Sequence, residues 1–312
     1  ERRIDGVQAC NPPDIFFLHG LLARLRGATF VFDQHALAPE LYETRFGRRG
    51  LIHRILRLCE RLTYRAADRV VATNDSYKAA AIERGRLRPD RVVVVRNGPD
   101  PDTMRPGPVD EDLRSGRDHL VVWMGNMGPQ DGVDDALRAV AHLVHELDRH
   151  DCSFAFIGQG EVLEDLRQMA CDLDIEAFVT FTGWIPDCDA FALLSSATIG
   201  LSADPPGPLN DKSTMNKTLE YMAFGLPVVA HDLAETRVSA GDAALYASTP
   251  DPKGLALAVD QLLDDPRRRQ EMGQTGRDRI ECGLSWSHQE EAYTRLWAEL
   301  VGLPPLDPPS RV

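Results

Sequence analysis

Between Asn210 and Val229 the chain concentrates residue types that bind anionic, hydroxyl-rich ligands. It holds 31 Arg but only four Lys, and two of those, Lys212 and Lys217, fall here. The spacing predicts a helix over residues 216–224, with Ser213 or Thr214 as its cap, Gly225 at its end and Pro227 opening a strand. On that helix Lys217 and Glu220 are three apart and share a face. The ammonium can meet phosphate oxygens while the carboxylate accepts from sugar hydroxyls. A helix that starts at the C-terminal edge of a parallel sheet also aims its free N–H groups at the crevice where anions bind. The competing reading is a surface helix with a routine i,i+3 ion pair. Other motifs weaken on inspection: Gly125-x-x-Gly128 and Gly158-x-Gly160 do not complete a dinucleotide fingerprint, and no HExxH, GxSxG or Walker A pattern occurs. The DxD triplets at 100–102, 172–174 and 187–189 are expected by chance in so acidic a chain, and a metal site has no support in the sequence.

The elements that must position these residues alternate. Strand-like runs at 4–9, 28–33, 91–95, 119–124, 152–157, 178–182, 197–202 and 227–230 are separated by helical patterns at 51–67, 76–84, 133–147, 162–173, 187–194 and 216–224. Helices at 252–263, 266–282 and 287–301 follow. This is the signature of βαβ units and a mostly parallel sheet. Proline and glycine crowd residues 99–118 without an apolar period, which predicts a linker.

With 312 residues the prior is two domains. The composition is that of a globular chain, 43% hydrophobic and 27% charged. Six scattered Cys without a CxxC pair suit a reducing compartment rather than a disulfide framework. No run approaches the ~20 apolar residues of a spanning helix, so a cytoplasmic protein is expected. The net charge of −13 hides an asymmetry. Residues 1–107 carry 19 basic against 13 acidic residues, whereas the remainder is strongly acidic. Nucleic acid is therefore an unfavourable partner for the second half.

The run Lys217-x-x-Glu220-Tyr221-Met222-Ala223-x-Gly225-x-Pro227-Val228-Val229 resembles the nucleotide-binding signature of the retaining, nucleotide-sugar-dependent glycosyltransferases of the GT-B fold, family 4 (glycosyl transferases group 1). Asn97-Gly98, Trp123-Met124-Gly125 with Pro129–Gly132, Phe156–Glu161, Phe181–Trp184, Phe32–His35 and Pro39–Tyr42 continue the likeness in order along nearly the whole chain. The resemblance implies an α/β fold of two Rossmann-like parallel-sheet domains facing a cleft, the first of them incomplete, since the family's glycine-rich N-terminal loop has no counterpart. The expected domains are residues 1–107 on the acceptor side, a linker at 108–118, a donor domain at 119–285, a helix at 286–302 that packs back on the first domain, and a tail at 303–312.

The implied reaction moves a sugar from a nucleoside diphosphate sugar to a glycan, lipid-linked or other hydroxyl acceptor with retention. It needs no metal and no cofactor beyond the co-substrate, and would serve polysaccharide or glycoconjugate biosynthesis. His35, Lys217 and Glu220 match the family's catalytic positions. Donor contacts fall on Gly125, Asn126, Gly128, Lys212, Ser213, Thr214, Met215, Asn216, Lys217 and Glu220. Asn126 and Asp131 stand where the family commonly has Arg and Lys, and Lys212 where it has a glutamate. The cationic duty thus passes to Lys212, Lys217 and nearby amides. A non-catalytic nucleotide-sugar-binding relative, or an epimerase or phosphorylase of the same fold, remains the alternative.

One further feature lies in the basic half. Residues 45–69 contain eight Arg and two acids, with Leu and Ile interleaved at helical spacing. Such a helix can rest on an anionic membrane, peripherally on its inner face. The plainer expectation is that its apolar stripe packs on the first domain's sheet.

Overall fold

The apolar runs form parallel strands joined by helices, as βαβ connections require. The computed structural model describes residues 4–302. By its internal contacts the chain divides into two units: of the described residues, 4–98, 212–214 and 286–302 form the first, and 99–211 with 215–285 the second.

The first unit runs β1 (Gly6–Cys10), α1 (Phe17–Leu25), β2 (Thr29–Gln34), α2 (Ala38–Phe46), α3 (Leu51–Ala66), β3 (Arg69–Ala72), α4 (Asp75–Gly85) and β4 (Val92–Val94). Its sheet is parallel in the order β1-β2-β3-β4. The C-terminal helix Trp286–Val301 lays Tyr293, Leu296 and Trp297 against Val31, Val71 and Val95. Strand β3 and helices α1 and α2 are absent from the sequence expectation. β3 is four residues long and follows α3 almost directly, so no turn signal separates the two.

Helix α3 reverses the expected orientation. Its buried residues are Glu60, Thr63, Tyr64 and Ala66, while Leu51, Ile55, Leu58 and Leu62 are exposed. The inner face combines the packing of Tyr64, whose ring meets Phe32 edge-on, with polar pairing. Arg84 reaches both Glu60 (2.8 Å) and Glu40, and the Thr63 hydroxyl donates to the Asp14 carbonyl at 2.6 Å.

The second unit runs β5 (His119–Met124), α5 (Val133–His145), β6 (Cys152–Ile157), α6 (Leu163–Asp172), β7 (Val179–Gly183), α7 (Asp187–Ser196), β8 (Ile199–Ser202), α8 (Asn216–Ala223), β9 (Val228–Ala230), α9 (Ala234–Ala240), β10 (Ala244–Tyr246), α10 (Pro252–Leu263) and α11 (Pro266–Arg279). Its parallel sheet has the order β7-β6-β5-β8-β9-β10. Side chains alternate across it: Val121, Trp123, Phe154 and Phe156 join the core under α5, α6 and α10, whereas Leu120, Val122, Ala155 and Ile157 join that under α7 and α8. The strand order reverses between β5 and β8, and such a switch point opens a crevice beyond the carboxyl ends of those strands.

The expected linker is a packed strap of the second unit, and the boundary moves from residue 107 to Gly98–Pro99. Gly107 N–H donates to Ser195 Oγ and Asp110 N–H to Ser196 Oγ, both at 2.9 Å, while Arg277 donates to the carbonyls of Pro101 and Met104. Proline removes amide donors but leaves carbonyls to be bound, so a proline-rich segment need not be loose.

Candidate functional site

At the switch point of the second unit three segments meet. After β5 the chain turns through Gly125 to Gly132, after β8 it passes Ala203 and Asp204, and α8 starts at Asn216. Glycines make the close approach possible. Gly158 has φ +129°, and a Cβ there would lie 1.9 Å from the Gly125 carbonyl oxygen; a Cβ at Gly160 would lie 2.2 Å from that of Met127. The Gly158-x-Gly160 pair is thus a seat for the 125–127 loop. Asp131, which stands where a cation was expected, clamps the same loop: its Oδ2 accepts from Gly128 N–H at 2.9 Å and from the Gln130 amide at 3.0 Å.

Lys217 sits in the first turn of α8 and is buried. Its Nζ donates to Asp204 Oδ1 at 2.6 Å and lies 5.1 Å from the centroid of Trp123. Asp204 is held in turn by the Ser202 hydroxyl at 2.8 Å. A Cβ at Gly125 would stand 3.5 Å from Lys217 Cε, so the expected cation and the expected glycine loop do come together. Tyr221 ties α8 to both strands of the switch, accepting from Met124 N–H (2.8 Å) and donating to the Leu201 carbonyl (3.2 Å).

Glu220, one turn on from Lys217, makes no side-chain hydrogen bond among the described residues. Burial pushes its carboxyl above the usual range; Lys217 pulls it back and Asp187 adds to the rise. A carboxylate short of donors in a partly buried place is suited to receive hydroxyl groups. Asn126 and Asn216 are exposed, and Gly128 is buried.

Ser213 and Thr214 do not cap α8, contrary to expectation. The residue before the helix is Met215, in extended conformation and without a side-chain cap bond. The hydroxyls are used in the first unit instead, Ser213 Oγ 3.0 Å from the Tyr77 hydroxyl and Thr214 Oγ1 accepting from Asn74 Nδ2 at 3.0 Å. Asn74 also donates to the Lys212 carbonyl at 2.8 Å. Lys212 belongs to the same unit by its packing, with Nζ 3.5 Å from Glu40. Burial alone would raise the Glu40 carboxyl, but the Arg84 hydrogen bonds and charge, with Lys212 added, hold it below its usual range.

His35 follows the C-terminal end of β2. Its backbone N–H donates to Asn11 Oδ1 at 2.7 Å, and its Nε2 lies 3.1 Å from Asp33 Oδ1. That hydrogen bond, with the Asp33 charge behind it, raises the imidazole above its ordinary value against the pull of burial. Among the described residues Cys10, Asp33 and His35 form a group able to share a cation, with ligand atoms within 4.8 Å of one another. Sequence reasoning missed Asp204, Asp33, Asn74 and Tyr77. Position was the available signal for the two acids: Asp33 lies near the carboxyl end of β2, two residues before His35, and Asp204 lies just past the carboxyl end of β8.

Comparison with known proteins places both units. The model for "Glycosyl transferases group 1" matches residues 118–265, and that for "Glycosyl transferase 4-like domain" matches residues 1–98. The D-inositol 3-phosphate glycosyltransferase 1 of Catenulispora acidiphila is 29% identical over 291 residues, 89% of this chain and 68% of that protein. The GDP-mannose-dependent alpha-(1-6)-phosphatidylinositol monomannoside mannosyltransferase of Mycolicibacterium smegmatis is 31% identical over 201 residues, 61% of this chain and 50% of that one. The chain thus spans between half and about two thirds of the length of these relatives. Among solved structures, Anabaena HepE in complex with UDP superposes with a TM-score of 0.76 at 17% identity, covering 95% of this chain and 79% of that one. Sucrose-phosphate synthase from Thermosynechococcus elongatus gives 0.75 at 17%, covering 95% and 74%. These two likenesses concern the fold, two parallel-sheet Rossmann-like domains of the GT-B type.

Proposed function

The chain belongs to the group 1 glycosyltransferases, and we propose that it moves a sugar from a nucleoside diphosphate sugar to a hydroxyl acceptor with retention at the anomeric carbon, in polysaccharide or glycoconjugate biosynthesis. The observation that carries this reading is the switch-point arrangement: Lys217 and Glu220 on one turn of α8, beside the Gly125 loop, with Glu220 lacking a side-chain hydrogen bond among the described residues. Glu220 accepts from the ribose hydroxyls. Lys217 exchanges Asp204 for the diphosphate, whose greater charge competes for the ammonium, and the free N–H groups at the start of α8 add to it. Lys212 supplies further positive charge, and His35 meets the sugar or the departing phosphate oxygen. Leaving-group charge is then met by cations and amides held in place beforehand, without a metal. No side chain is assigned as nucleophile; the leaving phosphate itself assists the acceptor hydroxyl. The names of the relatives support a phosphorylated or lipid-linked polyol acceptor, and the UDP and UDP-glucose complexes of HepE support a nucleotide-sugar donor.

Thermal shift and calorimetry with UDP, GDP, ADP and their sugars test the reading. A ligand at 100 times its dissociation constant stabilises by ~2.7 kcal/mol. Glu220→Ala is expected to weaken nucleoside and nucleoside diphosphate alike by ~1.5–3 kcal/mol per lost bond while leaving the fold intact, because it removes a carboxylate that burial disfavours. Unchanged affinity in the variant would place the ribose elsewhere.

A further inference from the structure

We infer that Cys10, Asp33 and His35 form a binding site for one zinc-class divalent ion at the carboxyl edge of the first unit's sheet.

The strand ladder brings the three ligands together. Cys10 is the last residue of β1 and pairs with Asp33 of β2, so the two side chains leave the sheet on one face. His35 follows two residues on, where the alternation returns to that face. Asn11 sews the two segments to each other. Its N–H donates to the Asp33 carbonyl at 3.2 Å, and its Oδ1 accepts from the N–H groups of His35 and Ala36 at 2.7 and 3.1 Å. Its Nδ2 donates to the Ala36 carbonyl at 2.7 Å. The backbone thus fixes where the ligands stand, as a preorganised site requires.

His35 Nε2 lies 3.1 Å from Asp33 Oδ1, and Cys10 Sγ lies 3.6 Å from Asp33 Oδ2. One ligand atom from each residue keeps the group within 4.8 Å. A tetrahedral zinc ion with bonds of ~2.0–2.3 Å separates its ligand atoms by ~3.4–3.6 Å. Two of the three spacings are therefore near the tetrahedral value before any ion enters, and the fourth corner is left to water. The carboxylate is also held from behind. Asp33 is buried, its Oδ2 accepts from Gln8 Nε2 at 2.7 Å, and Gln8 Oε1 accepts from the Tyr293 hydroxyl at 2.5 Å. Tyr293 thereby sets which end of the Gln8 amide faces the acid, an outer contact of the kind that orients metal ligands. Cys10 and the His35 ring are open to solvent, which gives the ion its way in.

One thiol, one imidazole and one carboxylate select zinc over magnesium or calcium, which take oxygen shells. The same imidazole meets the sugar in the proposed reaction, so a bound ion opposes transfer rather than assisting it. That consequence rests on the proposed reaction, whereas the binding does not.

Titration of the reduced, untagged chain with Co²⁺, followed by displacement with Zn²⁺, tests the site without nucleotide. A thiolate-to-cobalt charge-transfer band is expected, saturating at one ion per chain and unaffected by Mg²⁺. Cys10→Ser should remove the band while keeping the parent's metal-free melting temperature, since the side chain is exposed. Gln8→Ala should keep the band and weaken zinc binding about 10–100-fold. No band in the parent would overturn the proposal, as would a band that survives Cys10→Ser, because Cys171, Cys188 and Cys282 are exposed as well. Saturation at one ion per two chains would also overturn it, since the ion would then bridge two copies. Sugar transfer that continues with the site filled would instead overturn the role given to His35 in the reaction.

Discussion

At the scale of residues, the candidates are distinguished by what already holds them. Lys217 is buried against Asp204, and Asp204 is itself 1% exposed. Removing one member of such a pair leaves a charge without its counterion and costs about 3–5 kcal/mol. Lys217→Ala is therefore expected to lower stability toward urea and to abolish preferential binding of nucleoside diphosphate over nucleoside. The double variant Lys217→Ala with Asp204→Ala should recover much of the stability and none of the preference. Recovery of both would make Lys217 a structural residue only. For His35 the governing contact is Asp33. Because the folded pKa is raised, the stabilisation from this pair is fully present below the unfolded value of 6.5 and is lost as pH rises through the folded one. In an NMR titration, Asp33→Asn should bring the His35 midpoint down toward or below 6.5; an unmoved midpoint would mean that the pair does not form.

At the scale of elements, close approach of backbones decides where the site lies. The loop after β5 rests on Gly158, and an added methyl there has no room: its position is 1.9 Å from a carbonyl oxygen, which cannot move as a side-chain tip could. Gly183 supplies the contrast, with φ +67° and nothing within 4 Å of a built Cβ. Gly183→Ala should cost only the left-handed backbone penalty of roughly 1–2 kcal/mol. Gly158→Ala should cost more than that, and should also weaken nucleotide binding by displacing Gly125. Equal losses in chemical denaturation for the two variants would show that the 125–127 loop adapts. The helices at the site obey their tertiary partners rather than their own capping signals. Ser213 and Thr214 have the right chemistry to cap α8 but bond to Tyr77 and Asn74 instead, because a hydroxyl takes whichever donor or acceptor the fold brings nearest.

At the scale of the whole molecule, buried carboxyls of the first unit give its stability an unusual pH dependence. Burial, only partly offset by Asn11 and Arg84, lifts Asp14 from 3.8 to about 6. Glu60, against the opposing charge and hydrogen bonds of Arg84, rises from 4.5 to about 7. At these two groups the native state binds more protons than the unfolded chain, so their contribution to stability falls as pH rises through the window from 3.8 to about 7. Glu40 and other carboxyls held below their usual range contribute with the opposite sign, so the test is a difference: relative to the parent, Asp14→Asn with Glu60→Gln should gain stability in denaturant unfolding as pH rises through that window. A difference that does not grow with pH would mean that Arg84 overcomes the burial of both groups.

The sequence by itself determined the α/β architecture of parallel strands and helices, the family, and the placing of Lys217 and Glu220 on one helical turn. Each of these depends on local periodicity, or on residue types at short fixed spacing, and such patterns survive without knowledge of neighbours. Short elements such as β3 and α1 escaped it, since β3 is only four residues long and α1 turns an apolar stripe away from the core. Only the tertiary structure decided which partners the charges have: Asp204 for Lys217, Glu40 for Lys212, Asp33 for His35. It also turned α3 round, because Arg84, 18 residues beyond the end of α3, supplies its inner face with a polar anchor that is invisible to any periodicity of α3 itself. The pattern of an amphipathic helix states that two faces differ; which of them turns inward depends on what the rest of the fold offers each one.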